Sequence, residues 1–254
     1  LTFEGKTLVD VLLNLQIMII DHESLKPKYE KLNIPILHSL NFEGAQAEWE
    51  KSNSGTTTAM IPMSYIIPET IGYTDPMITA AQNPATKTLE PIVPQLKSLV
   101  NKAHNMSKHK RAKNSKKKVA VMFYNYPHGI NNMGASFMNI PQSLENLFAS
   151  FVKEGYKTEQ KSQEWFEKEA IKTLKAYYEQ GHEDEMLKEK SALLYPLEKY
   201  EAFLKTLPSE VSKKMILEWG EASKSAMVVE QNGKKYFLVP AIEIDNVLLL
   251  PQPR

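Results

Sequence analysis

His128 stands in the segment "YNYPHGINNMGAS", residues 124–136. There an imidazole could ligate a metal or move a proton near neutral pH, a purely structural loop histidine being the alternative. Gly129 and Gly134 flank the pair Asn131 and Asn132 and free the backbone for close approach to a bound molecule. The segment carries neither G-x-G-x-x-G nor G-x-x-x-x-G-K-[ST], so it is a poor phosphate loop and nucleotide binding is not expected of it. A second cluster, "GHEDEM" at 181–186, sets His182 beside three acids. It has the composition of a metal site, but its spacing brings no set of ligands onto one face, and it reads as a solvated turn. His104 and His109 fall in a basic run and read as exposed. No nucleophile elbow, no H-E-x-x-H and no cysteine occur, which removes thiolate chemistry, disulfides and the zinc-protease pattern.

The elements that must position His128 are plain in the pattern. "VAVMFY" is an unbroken apolar run at 119–124 and reads as a buried strand. The stretch 140–156 places Leu144, Leu147, Phe148, Phe151 and Val152 on one helical face, with Gly155 near its end, and its N-terminal N–H groups would point at whatever the loop holds. A further helix is expected over 162–181 from Trp165, Phe166, Ala170, Leu174 and Tyr177. Two shorter ones, 196–207 and 208–219, each open near a proline.

Upstream, "TLVDVLLNLQIMIID" is read as a strand in its first part. "LNIPILHSL" and "MSYIIPET" are read as two short strands, with a helix in "AQAEWEKSNSG" between them that Gly55 would stop. A helix is expected over 88–106 from the stripe Ile92, Leu96, Leu99, Val100 and Ala103. The tail predicts a hairpin through Asn232-Gly233 followed by another strand.

Hydrophobic residues at 42% and charged residues at 24% describe an ordinary globular chain, and a net charge of +1 gives no global pull towards nucleic acid or a membrane. The apolar stretch 11–20 is interrupted by Asn14 and Gln16 and is too short to span a bilayer. The charge is unevenly spread. Residues 91–144 contain no Asp or Glu, and seven of the eleven residues from Lys108 to Lys118 are Lys or Arg. That is either an electropositive mouth for an anionic ligand or a solvated surface joint.

Together these features predict an α/β protein: two Rossmann- or flavodoxin-like lobes with mostly parallel sheets and a C-terminal β-hairpin. Residues 1–110 would be a first lobe, partial and truncated at its N-terminus. Residues 111–254 would be a second lobe with a helical insertion and C-terminal strands.

Read in order, several segments resemble one family, the large subunit of cobaltochelatase (CobN) and the related H subunit of magnesium chelatase. "LNIPILHSL" is similar to its L-x-[VI]-P-[VI]-[LF] strand, and "AEWEKSNSGTTTAMIPMSYIIPETIG" to its E-W-x-x-S-x-x-G segment followed by P-E-x-x-G. "KKVAVMFYNYPHGINNMGASFMNIPQSLENLFASFVKEGY" resembles a strand ending N-Y-P, a Gly/Asn loop and a Pro-Ser-Leu helix ending Gly-Tyr. "LEWGEA" and "IDNVLLLPQPR" fit its W-G and G-N-V-x-x-x-x-Q-P patterns.

The resemblance implies a cytoplasmic, multi-subunit enzyme that binds a tetrapyrrole such as a porphyrin or a cobalamin precursor. A divalent metal (cobalt, magnesium or iron) would be inserted, with ATP hydrolysed by AAA+-type partner subunits. Some members are associated with haem uptake, so removal of iron from haem is a second direction. In this frame Tyr126, His128, Asn131 and Asn132 are the expected loop contacts of the ligand, Glu69 a cleft carboxylate, and His128 a candidate metal contact. No catalytic residue is expected in the segment itself, because the family's G-T-H-G region would lie beyond Arg254. The sequence departs from the family at His128, where a small residue or proline is common, and at Ile71, where an acid usually precedes the glycine. The alternative reading is a non-catalytic two-lobed module for a small anionic ligand or a partner protein. Neither a nucleic-acid partner nor a transmembrane segment is expected.

Overall fold

A computed structural model describes residues 1–15, 22–52, 55–135, 137–179 and 181–253. The end of "TLVDVLLNLQIMIID" lies outside the described residues. The chain divides into two compact units, Leu1–Ala112 and Lys113–Arg254. No helix among the described residues is long and apolar enough to cross a membrane.

The first unit opens with a two-stranded ribbon, β1 (Thr2–Phe3) and β2 (Lys6–Thr7), and then builds one four-stranded sheet. Its strands, in spatial order, are β3 (Leu12–Asn14), β4 (Ile36–Phe42), β5 (Tyr73–Gln82) and β6 (Leu89–Pro91). The first three run parallel, and β6 folds back antiparallel on β5. Helices α1 (His22–Leu32), α2 (Gln46–Lys51), α3 (Ile67–Thr70) and α4 (Val93–Arg111) connect or flank them. β4 is the spine: Ile36 to Leu40 are all buried, as expected of a parallel strand covered on both faces.

Two expectations fail in this unit. "MSYIIPET" is helical, a π-turn over Pro62–Ile66 running into α3. Pro62 and Pro68 each stand at the start of a helical segment, where the missing N–H costs nothing and the fixed φ is already helical. The strand is the next segment, β5, whose Asp75 takes φ +50 just before Pro76 and hides the run from a period-two reading. Helix α4 also begins later and ends later than the apolar stripe suggested. Pro91 belongs to β6, Ile92 and Leu99 are buried, while Leu96 and Val100 face outwards.

Four basic residues, Lys108, His109, Lys110 and Arg111, occupy the last turn of α4, where they oppose the negative end of the helix dipole. Asp10 receives Ser107 Oγ at 2.7 Å and Arg111 Nε at 2.5 Å, and these hold its carboxyl below the usual carboxylate range. That portion of the basic run therefore fastens a helix end.

Tyr73, 4% exposed, donates to or accepts from the hydroxyl of Tyr29 at 3.0 Å and packs edge-on against buried His38. Burial first, and Tyr29 second, push the Tyr73 hydroxyl well above its ordinary pKa of 10. Below pH 10 the phenol is neutral folded or unfolded. Above it the unfolded chain loses the proton first, so stability falls as pH rises from 10 towards the raised folded value. Tyr73→Phe is therefore expected to flatten the alkaline limb of a thermal-midpoint profile between pH 9.5 and about 11 while lowering the neutral plateau by about 1 kcal/mol.

The second unit contains β7 (Val119–Phe123), a small ribbon of β8 (Gly134–Ala135) and β9 (Met138–Asn139), then helices α5 (Ile140–Lys153), α6 (Gln163–Tyr178) and α7 (Glu183–Lys188). β10 (Ala192–Pro196), α8 (Leu197–Leu204) and α9 (Ser209–Trp219) follow, and then β11 (Val228–Gln231), β12 (Lys234–Pro240), β13 (Ile242–Ile244) and β14 (Val247–Pro251). β11 and β12 pair antiparallel around Asn232-Gly233, and β10 adds to the other edge of β12. β14 pairs parallel with β7 and antiparallel with β13. Across the chain the sheets are thus mixed, and the expectation of mostly parallel sheets is corrected. Short two-residue links force successive tail strands to reverse direction, because a parallel crossover needs a dozen or more residues.

One face of the β13-β14-β7 sheet carries the main core. Phe123, Val247 and Leu249 meet Leu144 and Phe148 of α5 and Phe166, Ala170 and Leu174 of α6. Phe148 and Phe166 have ring centroids 4.9 Å apart and both are fully buried.

Candidate functional site

β7 delivers the chain from the buried Phe123 into the loop that contains His128. The residue that organises this loop is Asn125, which is 3% exposed. Its Nδ2 donates to the carbonyl oxygens of Gly129 and Asn132, each at 2.7 Å, and its Oδ1 accepts from the Tyr178 hydroxyl at 2.9 Å. The same hydroxyl accepts from the Gly129 N–H at 3.1 Å. One amide side chain and one phenol therefore satisfy three backbone groups that a turn of this shape would leave orphaned. Asn132 Nδ2 adds a bond to the His128 carbonyl at 2.9 Å. Gly129, at φ +140, holds a conformation that L side chains avoid, and a Cβ there would lie 2.8 Å from Asn132 Nδ2.

What the locked loop presents outwards is largely apolar and aromatic. Tyr124 and Tyr126 are 44% and 50% exposed, with rings stacked 5.9 Å apart and only 7° from parallel. Phe137 takes φ +68 at the turn between β8 and β9 and is fully exposed, and Met138 beside it is 55% exposed. Large exposed apolar groups of this kind leave area that burial against another molecule would make favourable. Tyr178, which holds Asn125, also lines a cavity of about 320 Å³ with Tyr177, His182 and Met186.

The start of α5 does not contribute as expected. Ile140 N–H donates to Met133, Pro141 has no N–H, and Asn139 Oδ1 caps Gln142 N–H at 3.1 Å. The helix end satisfies itself and offers an anion little. "GHEDEM" is a helix, α7, and not a turn; His182 precedes it with Nδ1 at 2.8 Å from Glu185 and Nε2 at 3.3 Å from Glu179. His182 and then Lys175 hold the Glu185 carboxyl below its usual range. Among the described residues no group of three or more His, Asp or Glu could hold a metal ion.

Tyr126, His128 and Asn131 are exposed in the loop, whereas the Asn132 amide is turned inwards as part of its frame. Glu69 belongs to the other unit. There it lines a separate depression of about 600 Å³ with Lys26, Tyr29 and Asn33. Sequence reasoning missed Asn125 and Tyr178. The one signal available for Asn125 was a polar residue set directly after six apolar ones.

The family model for CobN/magnesium chelatase matches residues 1–254. The chain belongs to that family. No curated protein matches it in sequence. Among solved structures it is similar to the catalytic subunit of cobaltochelatase from Mycobacterium tuberculosis, with 19% identity over 88% of this chain and a TM-score of 0.66. At that identity the likeness is one of fold. The chain spans 18% of that subunit's length. Within the CobN/magnesium chelatase family, then, this is a mixed α/β portion in which Asn125 and Tyr178 hydrogen-bond the backbone of Gly129 and Asn132.

Proposed function

We propose that this chain is the portion of a chelatase large subunit that supplies one wall of the tetrapyrrole site, with loop 124–139 as that wall. The observation that carries the reading is the exposed, parallel pair of rings at Tyr124 and Tyr126, mounted on a backbone fixed by Asn125. A flat macrocycle has large apolar faces, and a preformed aromatic surface takes it up without a loop-ordering cost. His128 and Asn131, exposed in the same loop, are assigned the polar contacts, His128 as the group nearest the metal that enters or leaves the ring. Glu69 is assigned separately, as a carboxylate of the depression that it lines in the first unit.

Metal exchange in a tetrapyrrole needs the ring held in place while pyrrole protons and metal-bound water depart, which is positioning joined to proton transfer. In this proposal the chain positions; the remaining steps, including insertion or removal of cobalt, magnesium or iron and ATP hydrolysis by AAA+-type partners, belong to the rest of the assembly. Titration of the chain with a metal-free porphyrin, followed at the Soret band, tests the positioning role. Saturable binding is expected, weakened about tenfold or more by Tyr126→Ala, the loss of a stacking contact of ~1–1.5 kcal/mol together with its buried area. His128→Ala should weaken it less. Equal binding by wild type and Tyr126→Ala would refute the assignment.

A further inference from the structure

The first unit contains a cavity that the tetrapyrrole reading does not use. It has a volume of about 420 Å³ and lies where β4 and β5 end, at Phe42 and Gln82. Crevices outside the carboxyl ends of parallel strands are where open α/β sheets bind ligands. Its polar wall brings together Asn41, Thr56, Thr57, Ser64 and Gln82 from three segments, and its apolar wall consists of Phe42, Met60 and Leu89.

Ser64 is the telling group. It is 5% exposed, it lines the cavity, and its hydroxyl makes no hydrogen bond to the described residues. Its oxygen is open to water on the cavity side, so a ligand seated there would take the place of water as its partner. Ser64 is also presented by the π-turn Pro62–Ile66, a distortion that recurs where a helix serves a function rather than packing. The hydroxyls of Thr56 and Thr57 and the amide of Asn41 likewise have no protein partner among the described residues.

The charge of the lining selects the ligand. None of its ten described residues is Lys or Arg, and Glu43 stands exposed among them. An anion would meet a carboxylate and no cation, whereas a neutral amide or an ammonium finds acceptors and hydroxyl donors on one side and an apolar wall on the other. We propose that this cavity is a second binding site, for a small molecule with a flat apolar body and a primary amide or ammonium head. The proposal is independent of the role assigned to loop 124–139, which lies in the other unit.

Three probes that share a phenyl ring separate the possibilities: benzamide, benzylamine as its cation, and benzoate. Backbone amide shifts of the isotope-labelled chain, titrated with each, give both site and affinity. Benzamide and benzylammonium are expected to move the signals of Asn41, Thr57, Ser64 and Gln82, with benzoate weaker by about tenfold or more. Ser64→Ala, a deletion small enough to leave the fold intact, should weaken benzamide about fivefold while the remaining amide spectrum is preserved. Benzoate binding as well as benzamide, shifts confined to other residues, no shifts at all, or unchanged benzamide affinity in Ser64→Ala would each overturn the proposal.

Discussion

Asn125→Asp is expected to destabilise the second unit by about 3–5 kcal/mol at neutral pH, although the two side chains have the same shape. The substitution replaces an NH2 that donates at 2.7 Å to the carbonyls of Gly129 and Asn132 with an oxygen that can only accept. A carboxylate 3% exposed and facing two carbonyl oxygens has lost its water and gained repulsion. Its folded pKa must therefore rise above the unfolded value near 4. A group with a raised folded pKa leaves stability intact below the unfolded pKa and removes it as pH climbs through the folded one. The protonated acid can also donate one of the missing bonds. The deficit should accordingly shrink from pH 8 to pH 4.5, which thermal midpoints against pH would reveal. A pH-independent deficit would mean that the Asn125 amide is not oriented as described. The porphyrin-binding assay should fail in parallel, because Tyr124 and Tyr126 bracket Asn125.

Phe148→Ala is expected to cost about 3–5 kcal/mol with no pH dependence between 5 and 8. Phe148 is fully buried, lies against Phe151 with centroids 5.8 Å apart and against Phe166 at 4.9 Å, and joins α5 and α6 to the strands β7 and β14. Neither helix can close over the cavity left behind, since each is already held by Leu144, Leu174 and their neighbours. Chemical denaturation would register the loss as a lowered midpoint at unchanged slope. The contrast with Asn125→Asp is diagnostic: a cavity has no proton to gain.

The parts of this molecule that are legible from sequence are those set by local periodicity. The run 119–124 announces β7 by its length and β-prone residues, although Ala120 and Met122 turn out exposed, and the stripe through Leu144 and Phe148 announces α5 by its helical period. Periodicity fails where the deciding partner is remote. Asn125 reads as a loop residue until Tyr178, 53 positions away, is found on its Oδ1. It fails again where proline is misjudged: "MSYIIPET" has strand-like residues, yet Pro62 and Pro68 start helical turns. "GHEDEM" looked like a solvated turn because its acids are consecutive. In the structure three of them fill the first turn of α7, where acids favour a helix. Of the residues proposed from the sequence for the site, Tyr126, His128 and Asn131 lie exposed in one loop, Asn132 serves as its frame, and Glu69 sits in the other unit. Ser64 carried no signal, since neither its burial nor its missing partner can be seen without the surrounding chain.

The central claim is that the stacked pair Tyr124 and Tyr126 touches the macrocycle face. Proton spectra of the chain with selectively labelled tyrosine, recorded while a metal-free porphyrin is added, test it directly. A ring lying on a porphyrin feels its diamagnetic current, so the Tyr126 ring signals should move strongly upfield in proportion to the Soret change, while those of Tyr29 and Tyr73 stay in place. A saturated Soret change with the Tyr126 signals unmoved would show that the ring binds elsewhere.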